Sequence, residues 1–350
     1  MADFGGWMMP IEYPAHSGGG VINEHSAVRE RVGLFDVSHL GKVRIEGKGA
    51  REFLNHALTN DLAKIVPGQA QYSMLCDRDS GGVVDDLIVY LKSEEEILLI
   101  PNAANNSEVV RRLTSAAPES ISIKNAHEEF AVFAIQGPLA DQVLQNLGVK
   151  IELEYMSFGE FSIAGEKLII CRTGYTGERG YEVLPQWQVA EKVWRAILAE
   201  VEKSSGVVAG LGARDTLRTE MCYPLHGHEL SMTISPVEAS ASWAVGWSKT
   251  SFWGDQVLRN QKENGPSRIL RPLTLNDRGI PRAEMKIMTE DGHDIGVVTS
   301  GTFSPTLKKG IALALVDPRL KIGDEVLIDI RGKLTRAIIS KAPLVPSHVR

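Results

Sequence analysis

The chain of 350 residues has few of the features that define several protein classes. Its three cysteines, Cys76, Cys171 and Cys222, are odd in number and far apart, which indicates reduced thiols and a cytoplasmic protein. No apolar run is long enough to span a membrane, and the first residues lack the basic head and apolar core of a secretory signal. The net charge of -6 argues against nucleic-acid binding.

Several common functional motifs are also missing. The chain has no GxxxxGK[ST] phosphate loop, no GxGxxG after a strand, and no CxxC, HExxH or GxSxG. His226-Gly227-His228 comes nearest to a metal motif, but two histidines without a third ligand at helical spacing are weak evidence for a metal. The second interpretation is a loop whose histidines bond to the main chain. We therefore predict no metal site.

The pattern of apolar residues predicts a mixture of strands and helices in which hairpins dominate. Strands are predicted at 42–46, 71–75, 83–91, 96–100 and 130–135. Helices are predicted at 24–31, with Asn23 as N-cap, and at 49–57, 105–113, 137–147, 189–201 and 211–221. Residues 268–341 show short apolar strands without helical periodicity, which fits a small all-β barrel or jelly roll. The fold class is therefore antiparallel α+β with a C-terminal β unit.

Two adjacent carboxylates, Asp85 and Asp86, interrupt an otherwise apolar strand that follows Gly81 and Gly82. Burying a charge is costly unless the charge is paired or functional. Neighbours on a strand point to opposite faces, so at most one aspartate can face a given pocket. The other must face water or a cationic partner. Two interpretations stay open: one aspartate belongs to a functional site, or both protect a solvated edge strand from aggregation.

A glycine-rich turn and a following strand occupy residues 171–182. The three glycines of this turn let the main chain approach a ligand closely, and Tyr175 offers a ring and a hydroxyl. Glu182 lies on the next strand, and a carboxylate can accept two N–H bonds from a guanidine-like heterocycle. The alternative is a hairpin with an exposed glutamate.

Arg214 is the third candidate, at the start of a predicted helix whose dipole already favours anions. Its permanent charge can bind a ligand carboxylate. It can also pair with Asp215 or Glu220, and the sequence does not choose between these partners.

Taken together, nine stretches in order along nearly the whole chain resemble one family, the aminomethyltransferases or T-proteins of the glycine cleavage system. They are Phe4 to Trp7, Gly33 to His39, Leu58 to Asp61, Gly81 to Val89, Gln136 to Pro138, Arg172 to Glu178, Gly212 to Asp215, Ser235 to Glu238 and Thr299 to Leu307.

The resemblance implies a cloverleaf of three domains around a central folate cavity. Residues 1–48 and 137–255 would form a discontinuous α+β domain that holds the folate site. Residues 49–136 would form a ferredoxin-like α+β domain that carries Asp86, and residues 256–350 the C-terminal barrel.

The resemblance also implies a reaction and a set of site residues. The one-carbon unit of an aminomethyl group on the lipoyl arm of H-protein passes to tetrahydrofolate, which gives 5,10-methylenetetrahydrofolate, ammonia and dihydrolipoyl H-protein. Asp86 would be the catalytic carboxylate, which orients the folate nitrogen and stabilises the cationic iminium that develops, and Glu182 would hold the pterin amino group and ring N–H. The other pocket residues would be Tyr72, Asn102, Tyr175 and Arg214. Asp85 receives no role.

Two departures from the family pattern concern the ends of the chain. Only three residues precede Phe4, where the family usually has a short segment, so either the native start lies upstream of Met1 or the domain lacks its first turn. The last residues, from Val345 to Arg350, lack an aromatic residue that some members place near the ligand. Whether Arg350 replaces that aromatic residue is open.

Three rival functions share this fold. A folate-binding factor of iron–sulfur cluster assembly would carry Lys-Gly-Cys-Tyr-x-Gly-Gln-Glu where this chain has Arg172 to Glu178. A folate-dependent demethylase would be fused to a flavin domain, and no dinucleotide fingerprint is present. The third rival, a scaffold that binds the carrier without turnover, is disfavoured by the retained Asp86, Glu182 and Arg214.

Overall fold

A computed structural model describes all 350 residues. Its nineteen strands are β1 (Ala2–Phe4), β2 (Trp7–Met9), β3 (Gly33–Asp36), β4 (Val43–Gly47), β5 (Gln69–Cys76), β6 (Val83–Leu91), β7 (Glu96–Ile100), β8 (Ile121–Asn125), β9 (Phe133–Gln136), β10 (Phe158–Ile163), β11 (Glu166–Cys171), β12 (Gly180–Leu184), β13 (Val207–Val208), β14 (Ile269–Leu275), β15 (Lys286–Met288), β16 (Asp294–Ser304), β17 (Lys309–Val316), β18 (Glu325–Ile330) and β19 (Lys333–Ile339). Its seven α-helices are α1 (Val21–Glu30), α2 (Ala50–Ala57), α3 (Asn106–Ala116), α4 (Ala140–Asn146), α5 (Ala190–Lys203), α6 (Leu211–Glu220) and α7 (Asp255–Asn264). None of these helices combines the length and the apolar character that crossing a membrane requires.

The strands form two large sheets, a barrel and a small N-terminal ribbon. One sheet has six strands in the order β10-β11-β12-β9-β3-β13, and the other has five in the order β5-β6-β7-β4-β8. Strands β14 to β19 close into a barrel, and β1 pairs with β2. Every pair is antiparallel except β13 with β3. The predicted fold class, α+β with a C-terminal β-barrel, is therefore confirmed.

Strand β4 bears on the predicted domain boundaries. It pairs with β7 on one side and with β8 on the other, so it lies inside the five-stranded sheet. The boundary predicted between residues 48 and 49 would separate β4 from that sheet. The pattern of apolar residues predicts a strand but does not show which other strands it pairs with. The division into residues 1–48 with 137–255, 49–136 and 256–350 stays a prediction.

The inner faces of the two sheets pack against each other. Tyr90 and Leu98 of the five-stranded sheet share one buried cluster with Phe35, Leu184 and, from α6, Leu217. Helices α2 and α3 cover the other face of the five-stranded sheet, while α4 and α5 cover the six-stranded one. Side chains that point inward from β6 and from β12 therefore meet between the sheets.

Candidate active site

A cavity of about 210 Å³ lies between the two sheets and beside α6. All six residues predicted for the site line it: Tyr72, Asp86, Asn102, Tyr175, Glu182 and Arg214. The remaining lining residues are Phe4, His39, Leu40, Leu87, Ile88, Ile100, Pro101, Tyr155, Met156, Thr173, Gly174, Tyr223, Pro224, Leu225 and Trp243. The fold thus brings together predicted residues that are up to 142 positions apart in the sequence, as Tyr72 and Arg214 are.

Asp86 reaches the cavity because it shares a strand face with Ile88 and Tyr90, which pack toward the other sheet. Its Oδ2 accepts a hydrogen bond from the Tyr72 hydroxyl at 3.0 Å, and its Oδ1 accepts one from Asn102 Nδ2 at 2.9 Å. Burial raises the pKa of Asp86, while these two hydrogen bonds oppose the rise. The carboxylate is thus oriented by neutral donors.

The prediction that the aspartate outside the pocket would face water or a cation is wrong for Asp85. Its side chain is 0% exposed and has no cationic partner; it accepts hydrogen bonds from Asn102 and Asn105 instead. Burial and the nearby charge of Asp86 raise the pKa of Asp85 well above its usual range. The edge-strand interpretation is also wrong, because β6 lies between β5 and β7.

Glu182 lies on β12 and is only 8% exposed, so the alternative of an exposed hairpin glutamate is wrong. The hydroxyl of Thr173 donates to its Oε2 at 2.5 Å, and the hydroxyl of Tyr90 approaches the same oxygen at 3.4 Å. No protein donor contacts its Oε1. One carboxylate oxygen is therefore fixed, and the other is available to a ligand.

Arg214 and Tyr175 form a stacked pair on the wall of the cavity. The guanidinium carbon lies 4.6 Å from the centre of the Tyr175 ring, a favourable cation–π arrangement. Neither predicted carboxylate binds Arg214, because Asp215 pairs with Arg218 and Glu220 pairs with Arg29, each at 2.7 Å. Burial lowers the pKa of Arg214, but the residue forms no ion pair within the protein, so its charge is left for a ligand.

The sequence interpretation missed five aromatic residues of the cavity, which are Phe4, His39, Tyr155, Tyr223 and Trp243. The Trp243 ring stacks on Tyr72 with centroids 5.2 Å apart and an interplanar angle of 25°. His39 is buried, and burial, with the charges of Arg214 and Lys42, lowers its pKa to about 3, so it is neutral at physiological pH. His39 ends one of the stretches quoted above, which was a usable signal, whereas Trp243 lies outside them all.

The two histidines of the weak metal motif bond to the main chain. His226 Nε2 lies 3.0 Å from the carbonyl oxygen of Val83, and His228 Nδ1 lies 2.9 Å from that of Thr299. This arrangement matches the second interpretation of the motif. Among the residues of the chain, no group of three or more histidines, cysteines, aspartates or glutamates is placed to hold a metal ion.

The cavity can bind a flat heterocycle that is rich in N–H donors. Asp86 and Glu182 supply oriented acceptors, the rings of Tyr175 and Tyr72 supply stacking surfaces, and Arg214 supplies a positive charge. No cysteine, serine or lysine, three common covalent nucleophiles, lines the cavity. The site can therefore act by binding a ligand, orienting it and stabilising charge that develops on it.

Fold and site together define a class of α+β proteins that have a C-terminal β-barrel and a ligand cavity between two sheets. Residues 1–249 match the GCVT N-terminal domain, and residues 268–346 match the glycine cleavage T-protein C-terminal barrel domain. The chain belongs to this family, the aminomethyltransferases or T-proteins of the glycine cleavage system.

Individual relatives agree with the family match. An aminomethyltransferase from Parafrankia sp. (strain EAN1pec) is 53% identical over 349 residues, which cover 100% of this chain and 94% of the relative. One from Mycolicibacterium paratuberculosis (strain ATCC BAA-968 / K-10) is 50% identical over 351 residues, with the same coverage. The crystal structure of glycine cleavage system aminomethyltransferase T from Bartonella henselae superimposes with a TM-score of 0.91 at 32% identity, over 99% of this chain and 94% of that chain.

Proposed function

We propose that the protein moves a one-carbon unit from the aminomethyl-lipoyl arm of H-protein to tetrahydrofolate. The carbon loses its bonds to the lipoyl sulfur and to its amino nitrogen and gains two bonds to folate nitrogens. The products are dihydrolipoyl H-protein, ammonia and 5,10-methylenetetrahydrofolate. The observation that carries this proposal is that Asp86, held by Tyr72 and Asn102, lines the same cavity as Glu182 and Arg214.

Glu182 is proposed to bind the pterin. A pterin presents an amino group and a ring N–H side by side, and a carboxylate accepts two such donors in one plane. Thr173 fixes one oxygen of Glu182 while Oε1 has no protein partner, which supports this role. Tyr72, Tyr175 and Asn102 complete the slot that holds the ring system, and Arg214 supplies the positive charge beside Tyr175.

Asp86 is proposed to be the catalytic carboxylate. It would accept a hydrogen bond from the attacking nitrogen and stabilise the positive charge that develops as carbon leaves sulfur. Oriented charges in a water-poor site are often the largest single contribution to catalysis. Holding the two reactants together contributes several kcal/mol more, because it removes the entropic cost of their encounter.

The partners follow from this reaction. Lipoylated H-protein supplies the carbon, and tetrahydrofolate accepts it as co-substrate. We also infer a cytoplasmic location, which is supported by the absence of disulfides: Cys76 and Cys171 are buried free thiols, and Cys222 is free as well.

Ammonia release tests the function directly. Purified protein is mixed with aminomethylated H-protein and tetrahydrofolate, and ammonia is measured over time. We expect fast release that requires both substrates, with controls that omit tetrahydrofolate or replace the carrier by its unlipoylated form. Release at the same rate without tetrahydrofolate, or no release above the controls, would contradict the proposal.

A further inference from the structure

Asp85 is a buried carboxylate that the proposed reaction does not use. Its side chain is 0% exposed, and it lies next to a second carboxylate, Asp86, on the same strand. An unpaired buried charge is among the costliest features that a protein can carry. The hydrogen bonds that Asp85 accepts offset the cost of burying its carboxylate.

Three N–H donors surround Asp85, and all come from the turn between β7 and α3. The main-chain N–H of Asn102 donates to Asp85 Oδ2 at 3.0 Å. The side-chain amides of Asn102 and Asn105 donate to Asp85 Oδ1 at 2.9 Å and 2.7 Å. Asp85 thereby ties this turn to the middle of β6.

The side-chain nitrogen of Asn102 also contacts Asp86. Asn102 Nδ2 lies 3.0 Å from the main-chain oxygen of Asp86 and 2.9 Å from its Oδ1. Three oxygens therefore surround one amide nitrogen. A flipped amide would place the Asn102 carbonyl oxygen against the same three oxygens, so this environment permits only one orientation.

We propose that Asp85 is a positioning residue, which locks the Asn102 amide so that its nitrogen holds Asp86 and its oxygen serves the ligand. No protein donor contacts Asn102 Oδ1, and Asn102 lines the cavity. The ligand group beside Asn102 is therefore an N–H or O–H donor. This role adds a positioning residue to the proposed function. It rests on that function only for the turnover measurement.

The substitution Asp85→Asn breaks the arrangement for a simple reason. Both Asp85 oxygens accept N–H groups, so either orientation of a new amide would set its NH₂ against a donor. The conflict frees the Asn102 side chain. We expect kcat/KM for tetrahydrofolate to fall by about 100-fold, the size of effect that misplaced catalytic groups produce. The matched control is Asp294→Asn, the same change at the exposed first residue of barrel strand β16, which should leave kcat/KM unchanged.

A double-mutant cycle separates positioning from general stability. Because Asp85 acts through Asn102, Asp85→Asn should change kcat/KM by less than about threefold in a protein that already carries Asn102→Ala. An equal loss in both backgrounds would overturn the proposal. It would show that Asp85 supports the fold rather than the orientation of Asn102.

A measurement on the ligand-free protein keeps the test independent of turnover. With ¹⁵N-asparagine labelling, the side-chain amide protons of Asn102 should exchange slowly in the wild type and at least about tenfold faster in Asp85→Asn. Should that variant not fold, Asn105→Ala removes one contact to Asp85 without touching Asp86 and should give a smaller acceleration. Unchanged exchange in either folded variant would contradict the role. Slow wild-type exchange without folate-dependent ammonia release would refute the proposed function and leave this inference standing.

Discussion

At the scale of single residues, neutral donors rather than ion pairs orient the charged groups of the cavity. Tyr72 and Asn102 hold Asp86, and Thr173 holds Glu182. A hydroxyl or amide donor fixes a carboxylate without neutralising it, so the negative charge stays available to a bound ligand. Arg214 follows the same principle, since an aromatic ring rather than a carboxylate supports it.

This arrangement predicts the effect of Glu182→Gln. The change keeps the shape of the side chain but removes its charge, and a hydrogen bond to a charged group contributes about 1.5–3 kcal/mol. We expect the Kd for tetrahydrofolate, measured by calorimetry, to rise about tenfold or more. Glu160→Gln, on an exposed position of β10 in the same sheet, is the control and should bind normally. A Kd for Glu182→Gln that equals the wild-type value would exclude the role of Glu182.

Sequence reasoning predicted some of these residues and failed for others. Asp85 and Asp86 were recognisable as a pair because a carboxylate within an apolar strand is costly unless it has a function, and the family resemblance selected Asp86. Glu182 was recognisable from the glycine-rich turn before it and from the two N–H bonds that a carboxylate can accept. The surroundings of Asp85 were predicted wrongly, because the asparagine donors come from a turn that pairing between strands brings close. Trp243 carries no local signal, since a tryptophan in a loop looks the same whether or not it lines a cavity.

At the scale of elements, the barrel supports the helix that carries Arg214. Glu220, at the end of α6, binds Arg29 of α1 at 2.7 Å and accepts a hydrogen bond from Ser304 of β16 at 2.5 Å. Arg218 of the same helix donates to Ser300 of the barrel at 2.8 Å. The stretch from Thr299 to Leu307, one of those that carry the family resemblance, therefore contacts α6 rather than the cavity.

The Glu220 contacts predict a particular dependence of stability on pH. Burial alone would raise the pKa of Glu220, but hydrogen bonds from His25 and Ser304 and the charge of Arg29 lower it from 4.5 to about 2. A lowered pKa means stabilisation that is complete above pH 4.5 and lost as the pH falls toward 2. The shift corresponds to about 3 kcal/mol.

Urea unfolding of Glu220→Gln checks this prediction. The variant should be less stable than the wild type at pH 6, and the difference in the free energy of unfolding should shrink as the pH is lowered through 4 to 3. Glu325→Gln, at an exposed position of β18, is the control and should track the wild type throughout. A stability difference that stays constant with pH would show that the Glu220 carboxylate is not the source.

Element boundaries were predictable where hydrophobic patterning dominates. Strands β6 and β7 occupy the predicted residues 83–91 and 96–100. Helix α1 begins at Val21 rather than at residue 24, because the side chain of Asn23 donates to the main-chain oxygen of Gly18 instead of capping the helix. Gly20, with a φ of 97°, precedes the first turn. The predicted N-cap role of Asn23 is therefore wrong, since its side chain bonds to Gly18 from within the first turn of the helix.

At the scale of the whole molecule, the cavity exists only once several parts of the chain are assembled. Its walls come from both sheets, from α6 and from the loop that includes Tyr223 and Trp243. No single stretch of sequence encodes such a cavity. Reasoning from the residues indicated Tyr175, Glu182, Arg214 and the Asp85–Asp86 pair one at a time. Only the family resemblance added Tyr72 and Asn102 and predicted that the site residues would meet. For the same reason, the pattern of apolar residues did not show that β4 pairs with β7 and β8.

The measurement that tests the central claim most directly compares Asp86→Asn with the wild type in ammonia release from aminomethylated H-protein and in tetrahydrofolate binding. Asp86→Asn should keep a Kd for tetrahydrofolate close to the wild-type value, because Glu182 and the aromatic slot remain. Ammonia release should fall by about 100-fold or more, the usual cost of removing an oriented charge from a reacting centre. Asp79→Asn, in the exposed turn just before β6, should behave as the wild type does. Normal ammonia release by Asp86→Asn would contradict the claim that this carboxylate is catalytic.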